Sequence, residues 1–218
     1  MFSSGNITEK IRMAGLGRYA EGSTIVDLYA GIGYYTVPLL VHARCGHVHA
    51  CELNPDALKS LKCNLAANGV TPDRYTIHAG DNRSAATAAG TKGVADRVLL
   101  GLLPSSTNGW PVAAEALKPE GGWLHLHENI SDAEAFDAVA VGRICAAIQT
   151  LMAQRRAGDL ASPSHRWHVR LSHAERVKRY APRVRHMVYD LHVTQKAFPP
   201  PSPPPHGSPE LVDVSVLA

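Results

Sequence analysis

Two glycines behind an apolar run, and a carboxylate about twenty residues further on, are the part of this sequence best equipped for chemistry. In Thr24-Ile-Val-Asp-Leu-Tyr-Ala-Gly-Ile-Gly33, apolar and β-branched residues lead into Asp27, and Gly31 and Gly33 then allow a sharp backbone turn that can approach a ligand. Glu52 ends the next apolar run, Gly46-His-Val-His-Ala-Cys-Glu52, at a position where a carboxylate can accept both hydroxyls of a ribose. Tyr34 and Tyr35 follow Gly33, so the third glycine of the dinucleotide fingerprint is missing. That favours S-adenosylmethionine over NAD as the nucleoside ligand. Asp81-Asn82 adds a carboxylate and an amide able to bind the edge of an adenine; Asp81 would also serve as a plain helix cap. Asp27 is expected to support the glycine turn, or nearby cofactor, by hydrogen bonds.

Positioning those groups requires an alternating α/β frame, and the chain supplies one. Asn6-Ile-Thr-Glu9 fits a capping box and predicts a helix from about Ile7 to Tyr19. Gly33 to Ala43 reads as the first crossover helix. Asn54 can cap the next, with Pro55 at its first position, Leu58, Leu61 and Leu65 along one face, and Asn68-Gly69 as its stop. Further strands are expected at Arg74–Ala79, Asp96–Gly101 and Trp123–His127, with helices at Trp110–Leu117 and Ser131–Arg156. Two late alternating runs, Trp167–Leu171 and Val184–Val193, predict an antiparallel pair closing one sheet edge. Residues 1–22 then form a lead-in helix and residues 23–197 the ligand-binding domain. Residues 198–218 hold seven prolines between Pro199 and Pro209, and disorder is expected there.

Composition narrows the class. A chain of 218 residues with 45% hydrophobic content can bury one sizeable α/β core. No run approaches the eighteen or more apolar residues of a membrane helix, and Met1-Phe-Ser-Ser-Gly is no signal peptide, so a cytoplasmic protein without a membrane partner is expected. Cys45, Cys51, Cys63 and Cys145 show no C-x-x-C spacing and read as reduced packing residues. His47 and His49, like His125 and His127, each share a strand face but lack a third or fourth ligand nearby, so no metal is expected. Net charge is +3, yet Arg155 to Lys196 concentrates ten Lys or Arg against three acidic residues, which points to a nucleic-acid partner. Trp110 and Trp167 could stack on a base, although burial is the commoner use of tryptophan.

Several segments carry a family resemblance over most of the chain. Phe2-Ser-Ser-Gly-Asn-Ile-Thr-Glu-Lys10, Asp27-Leu-Tyr-Ala-Gly-Ile-Gly-Tyr-Tyr35, His49-Ala-Cys-Glu-Leu-Asn-Pro55, Gly80-Asp-Asn-Arg83, Leu102-Leu-Pro-Ser-Ser106 and Val177-Lys-Arg-Tyr-Ala-Pro182 resemble the tRNA wybutosine-synthesising protein 2 family. That family is a sister of the tRNA guanosine N1-methyltransferases. The resemblance implies a Rossmann-like class I S-adenosylmethionine-dependent methyltransferase fold, with a mostly parallel seven-stranded sheet and an antiparallel finish. It implies transfer of the 3-amino-3-carboxypropyl group of S-adenosylmethionine to 4-demethylwyosine in phenylalanine tRNA, with release of methylthioadenosine. It further implies cofactor contacts from Ser3, Lys10, Asp27, Gly31, Gly33, Glu52, Asp81, Asn82, Leu102 and Pro104. Ser3 and Lys10 are the implied grip on the methionine carboxylate. Glu9 matches a catalytic glutamate of the sister enzymes, although a helix cap would also account for it. Those enzymes carry an asparagine before the proline after strand four, whereas Gly101, Leu102 and Leu103 precede Pro104 here, which argues against N1-methylation. The family also carries a tRNA-binding region upstream of the Phe-Ser-x-Gly-Asn motif. This chain opens almost at that motif, so a separate upstream tRNA-binding region is expected, and the alternative expectations are an S-adenosylmethionine-dependent tRNA guanosine N1-methyltransferase or a truncated non-catalytic cofactor-binding fragment.

Overall fold

The computed structural model describes residues 6–15, 20–155 and 165–197, and in them one seven-stranded sheet organises everything else. Strands β1 (Thr24–Asp27), β2 (His47–Glu52), β3 (Tyr75–Ala79), β4 (Arg97–Leu100), β5 (Gly121–Ser131), β6 (His165–Ala181) and β7 (Val184–Ala197) lie in the order β3-β2-β1-β4-β5-β7-β6. The first five pair in parallel; β7 runs antiparallel to both β5 and β6. This is the anticipated sheet with its antiparallel finish. The chain leaves β1 toward β2 and returns on the other side through β4, so β1/β4 is the point where ligands of open α/β sheets bind, beyond the strands' carboxyl ends.

Helices cover the faces: α1 (Ile7–Ala14), α2 (Thr36–Val41), α3 (Pro55–Ala67), α4 (Ala85–Thr91), α5 (Trp110–Ala116) and α6 (Ala138–Gln154). In α3 the expected signals all operate. The Asn54 side chain accepts from Asp56 N at 2.9 Å, Pro55 takes the first turn, and Leu61 and Leu65 are fully buried. Truncating either leucine to alanine removes about 2–5 kcal/mol. Two buried clusters, one around Leu124, Tyr189 and Ile148 and the other around Ile25, Leu39 and Leu65, form the core on opposite sides of the sheet's middle.

Several boundaries differ from the sequence reading, each for a physical reason. The capping box is not formed: Asn6 makes no side-chain cap bond, and Glu9 turns inward to Arg12 instead. Helix α1 is defined only to Ala14; Gly15 closes it, and residues 16–19 lie outside the described residues. Helix α2 starts three residues late because Gly33, at φ 92°, is part of the turn. Helix α6 begins at Ala138, not at residue 131, since Ser131 still belongs to β5 and the Asp137 side chain caps by accepting from Ala140 N at 2.7 Å. Strands β5, β6 and β7 are longer than expected because the three form a continuous antiparallel ladder. Helix α4 was not anticipated. Cys63 is exposed on α3 and not in apolar surroundings, while Cys45 and Cys51 are buried as free thiols. The proline-rich segment from residue 198 lies outside the described residues.

Candidate functional site

The turn after β1 is stitched to both neighbouring strands. Leu28 N donates to Leu99 O, and Ala30 N donates to Cys51 O. Glu52, at the end of β2, accepts from Gly31 N at 2.8 Å through one carboxylate oxygen and from Asn54 N at 2.7 Å through the other. Gly31 sits at φ 57°, with nothing within 4 Å of where a Cβ would lie, so its backbone faces open space. Gly33 serves a different purpose from the expected ligand approach. A Cβ there would come within 2.9 Å of Leu61 Cδ1 and Val37 Cγ2, so this glycine permits the close packing of the turn on α3.

Asp27 lies behind the turn as expected, buried, accepting from Thr36 Oγ1 at 2.7 Å and from Tyr29 N at 3.3 Å. Burial raises its pKa to about 6 despite those two bonds, with the nearby Glu52 charge adding to the rise. Asn82 is buried and its Nδ2 donates to Leu28 O at 2.7 Å, which commits the amide nitrogen to the backbone of β1's exit. Asp81 stays at the rim, paired with Arg83 at 2.7 Å, and its pKa is held down to about 2 by the hydrogen bonds from Arg83.

Above this floor opens a cleft made of two adjoining cavities that share Tyr29, Glu52, Asn54 and Gly101. The outer cavity, about 480 Å³, has an apolar wall from Leu28, Cys51, Leu53 and Leu102, with Asp81 and Asn82 beside it. The inner cavity, about 360 Å³, ends on Asn6, Tyr35, Leu103, His127 and His186. Leu102 lines the outer part. Pro104 does not line the cleft; its carbonyl accepts from Asn129 N at 2.8 Å. Ser106, two residues on, is pinned by Glu128, which accepts from Ser106 N at 2.9 Å and from Ser106 Oγ at 2.8 Å.

Not every expected residue joins the cleft. Glu9 is fully buried, with both carboxylate oxygens taken by Arg12 at 2.7 and 2.8 Å, and burial raises its pKa against the pull of that arginine. Arg12 also grips Asp190 at 2.6 Å, and Asp190 in turn meets His125 Nδ1 at 2.7 Å. Glu9 therefore anchors a buried charge network between α1 and β7. Lys10 lies over the Tyr34 ring, 5.1 Å from Nζ to centroid, in a separate groove between α1, α2 and α3. Ser3 is outside the described residues. Trp110 and Trp167 are buried and not available for stacking. Sequence reasoning missed Tyr35, His186, Arg12 and Asp190. The histidine spacing did place His127 on one face with His125, but its partner His186 is distant in sequence and carries no local signal.

Comparison with known proteins decides the family. The model of the TRM5/TYW2 methyltransferase domain matches residues 1–152. The chain belongs to the TRM5/TYW2 methyltransferase family. Among curated TRM5/TYW2 relatives, it is 45% identical over 212 residues to the tRNA wybutosine-synthesizing protein 2 homolog of Danio rerio, covering 88% of this chain and 50% of that protein. The human homolog is 39% identical over 231 residues, with the same coverage of each. The chain thus spans about half the length of the curated relatives it matches. Among solved structures, M. jannaschii TYW2 in complex with AdoMet superposes with a TM-score of 0.72 at 28% identity, over 90% of this chain and 78% of that one. P. horikoshii TYW2 in complex with MeSAdo gives 0.70 at 28%, over 89% and 64%. These likenesses agree with the Rossmann-like class I methyltransferase fold of the sheet.

Proposed function

We propose that this chain transfers the 3-amino-3-carboxypropyl group of S-adenosylmethionine to 4-demethylwyosine beside the anticodon of phenylalanine tRNA, releasing methylthioadenosine. The observation that carries the reading is the Glu52-centred cleft at the β1/β4 switch point, in a chain 45% identical over most of its described length to a wybutosine-synthesising homolog. The cleft's chemistry suits the donor. Glu52 presents a carboxylate beside the open Gly31 turn, where a ribose diol would be accepted, and the Leu28, Cys51, Leu53 and Leu102 wall offers an apolar slot for a purine. Asp81 at the rim, its carboxyl held down to about 2 by Arg83, would accept a hydrogen bond from an exocyclic amine.

S-adenosylmethionine supplies a sulfonium whose three attached carbons are all electrophilic. Which carbon reacts is therefore a matter of orientation, and the chain's task is to hold the nucleoside rigidly while the acceptor base approaches one carbon in line. Asp27, Asn82 and Glu128 act in that task by fixing the backbone on which the cleft is built. Ser3 and Lys10 are proposed to meet the donor's carboxylate. On this reading the protein acts in the cytoplasm on tRNA.

The test is label transfer. Incubated with tRNA bearing 4-demethylwyosine, the chain is expected to move label into RNA from a carboxyl-labelled donor and not from a methyl-labelled one. Transfer of the methyl label would overturn the proposal.

A further inference from the structure

Transfer from S-adenosylmethionine must release a proton, because the donor is a sulfonium cation and methylthioadenosine is neutral. The positive charge passes to the acceptor base with the new bond, and a neutral product forms only when the acceptor's hydrogen leaves as a proton. A group beside the reacting carbon has to take it. With the purine in the outer cavity and the ribose on Glu52, the donor's sulfur and its substituents reach into the inner cavity of about 360 Å³. Among the described residues lining that cavity, the titratable ones are Tyr29, Tyr34, Tyr35, Glu52, His127 and His186. Burial raises the pKa of each tyrosine, so all three keep their protons at neutral pH. Glu52 is committed through both oxygens to Gly31 N and Asn54 N. The two histidines remain.

They form a connected pair. In the β5/β7 register Val188 opposes His127 and His186 opposes Asn129, so the two histidines stand diagonally on one face of the ladder. His127 Nδ1 lies 3.0 Å from His186 Nε2, with one proton between them. The outer nitrogens, His127 Nε2 and His186 Nδ1, are buried and have no hydrogen-bond partner in the protein. Buried polar atoms are nearly always paired, so two orphans at the ends of one hydrogen-bonded pair mark a place where protons are exchanged with something else. A neutral imidazole carries a single N–H, and the shared proton therefore sets both ends. When His127 Nδ1–H donates to His186 Nε2, His127 Nε2 is a bare acceptor and His186 Nδ1 carries a hydrogen; in the other tautomer these roles exchange. Burial lowers the pKa of both rings, His186 to about 4, so the pair is neutral at pH 7. His186, His125 and Arg12 add to the lowering at His127 against Asp190, and Lys178 adds to it at His186. Glu9, the other charge on this side, is neutralised by Arg12.

We propose that His127 accepts the proton released by the acceptor base and that His186 positions it and passes the proton on, an inference that rests on the transfer reading above. An electron pair of the acceptor ring forms the bond to the propyl carbon, the C–S pair stays on sulfur as methylthioadenosine leaves, and the acceptor's proton goes to His127 Nε2. His127 Nδ1–H moves to His186 Nε2, and the proton of His186 Nδ1 goes to solvent, so no charge is left on either buried ring. Exchange with solvent then restores the starting tautomers.

Single-turnover transfer to tRNA bearing 4-demethylwyosine tests it, beside titration with S-adenosylhomocysteine. His127→Gln is expected to slow transfer by about a hundredfold while affinity for S-adenosylhomocysteine stays within about twofold, which also shows that the variant is folded. His186→Gln should slow it by about tenfold, through the weakened hold on His127. In His127→Gly, added imidazoles compared at equal concentrations of their neutral forms should restore transfer in order of basicity, a trend that merely refilling the space would not give. Undiminished transfer in His127→Gln would overturn the assignment, as would a loss that tracks affinity for S-adenosylhomocysteine or a rescue indifferent to basicity. Absence of methylthioadenosine from the wild-type reaction would overturn the transfer reading, and the relay with it.

Discussion

Arg12 stands between two carboxylates, Glu9 and Asp190, with bidentate contacts to each, in a region where any one of these charges alone would be poorly solvated. Burial works against the charge on Asp190, but His125 and Arg12 outweigh it and hold that carboxyl below its ordinary range. Removing the arginine leaves two buried negative charges facing each other. Arg12→Met is expected to lower unfolding free energy by about 3–5 kcal/mol, measured by urea denaturation. Asp27 behaves oppositely. Its folded pKa of about 6 exceeds the unfolded value near 3.8, so the native state keeps a proton that the unfolded chain has lost. Stability is therefore lost as pH rises from about 4 through 6, by roughly 3 kcal/mol in all. Asn at this position still accepts from Tyr29 N and can donate to Thr36 Oγ1, so Asp27→Asn should melt progressively higher than wild type between pH 4.5 and 6.5. A constant gap in melting temperature would contradict the assignment. The sequence made Glu52, Gly31 and Asp27 legible because each belongs to a local motif. It misread Glu9, since a capping box and an inward ion pair begin with the same residue, and only the distant Asp190 decides between them.

At the scale of elements, the β6–β7 hairpin is the feature that most changes how the site is seen. Pairing of β4 with β5 ends at Leu100 and Leu126, yet β5 continues to Ser131 with β7 alongside it. Five further residues of strand extend about 17 Å, on the same side as the cleft. The tight turn at Pro182-Arg183, with Arg183 at φ 59°, therefore reaches beyond the ends of the parallel strands and carries exposed Arg176, Arg179 and Arg183 together with exposed Tyr180. Arg185 is paired with Asp132 at 2.5 Å, which ties the turn end of the hairpin to the segment after β5. The triple variant Arg176→Ala, Arg179→Ala, Arg183→Ala is expected to weaken tRNA binding and to flatten its dependence on salt by up to about 2–3 in log–log slope. Affinity for S-adenosylhomocysteine should stay unchanged. Filter binding across a salt series gives both numbers, and an unaltered slope would exclude the hairpin from the RNA contact. Alternation and basic charge were visible in the sequence here. The hairpin's length was not, because register shifts after Leu171, Arg176 and Arg179 interrupt the period-two pattern.

At the scale of the molecule, the strand order puts Glu52 and the β1 turn where the sheet reverses, and Asn6, just before α1, lines the inner end of the cleft. The alternation of apolar runs and capped helices predicted that arrangement well, since parallel β-α units are local. What the sequence did not show are the contacts made across the sheet: Arg12 to Asp190, His127 to His186 and Asn82 to Leu28 each join residues more than fifty positions apart in sequence. The account's central claim is that this cleft directs reaction at the aminocarboxypropyl carbon and not at the methyl. Mass spectrometry of the small-molecule product, after incubation with S-adenosylmethionine and phenylalanine tRNA bearing 4-demethylwyosine, tests it most directly. Methylthioadenosine, with the matching mass gain on the RNA, is the predicted result, and S-adenosylhomocysteine would contradict it.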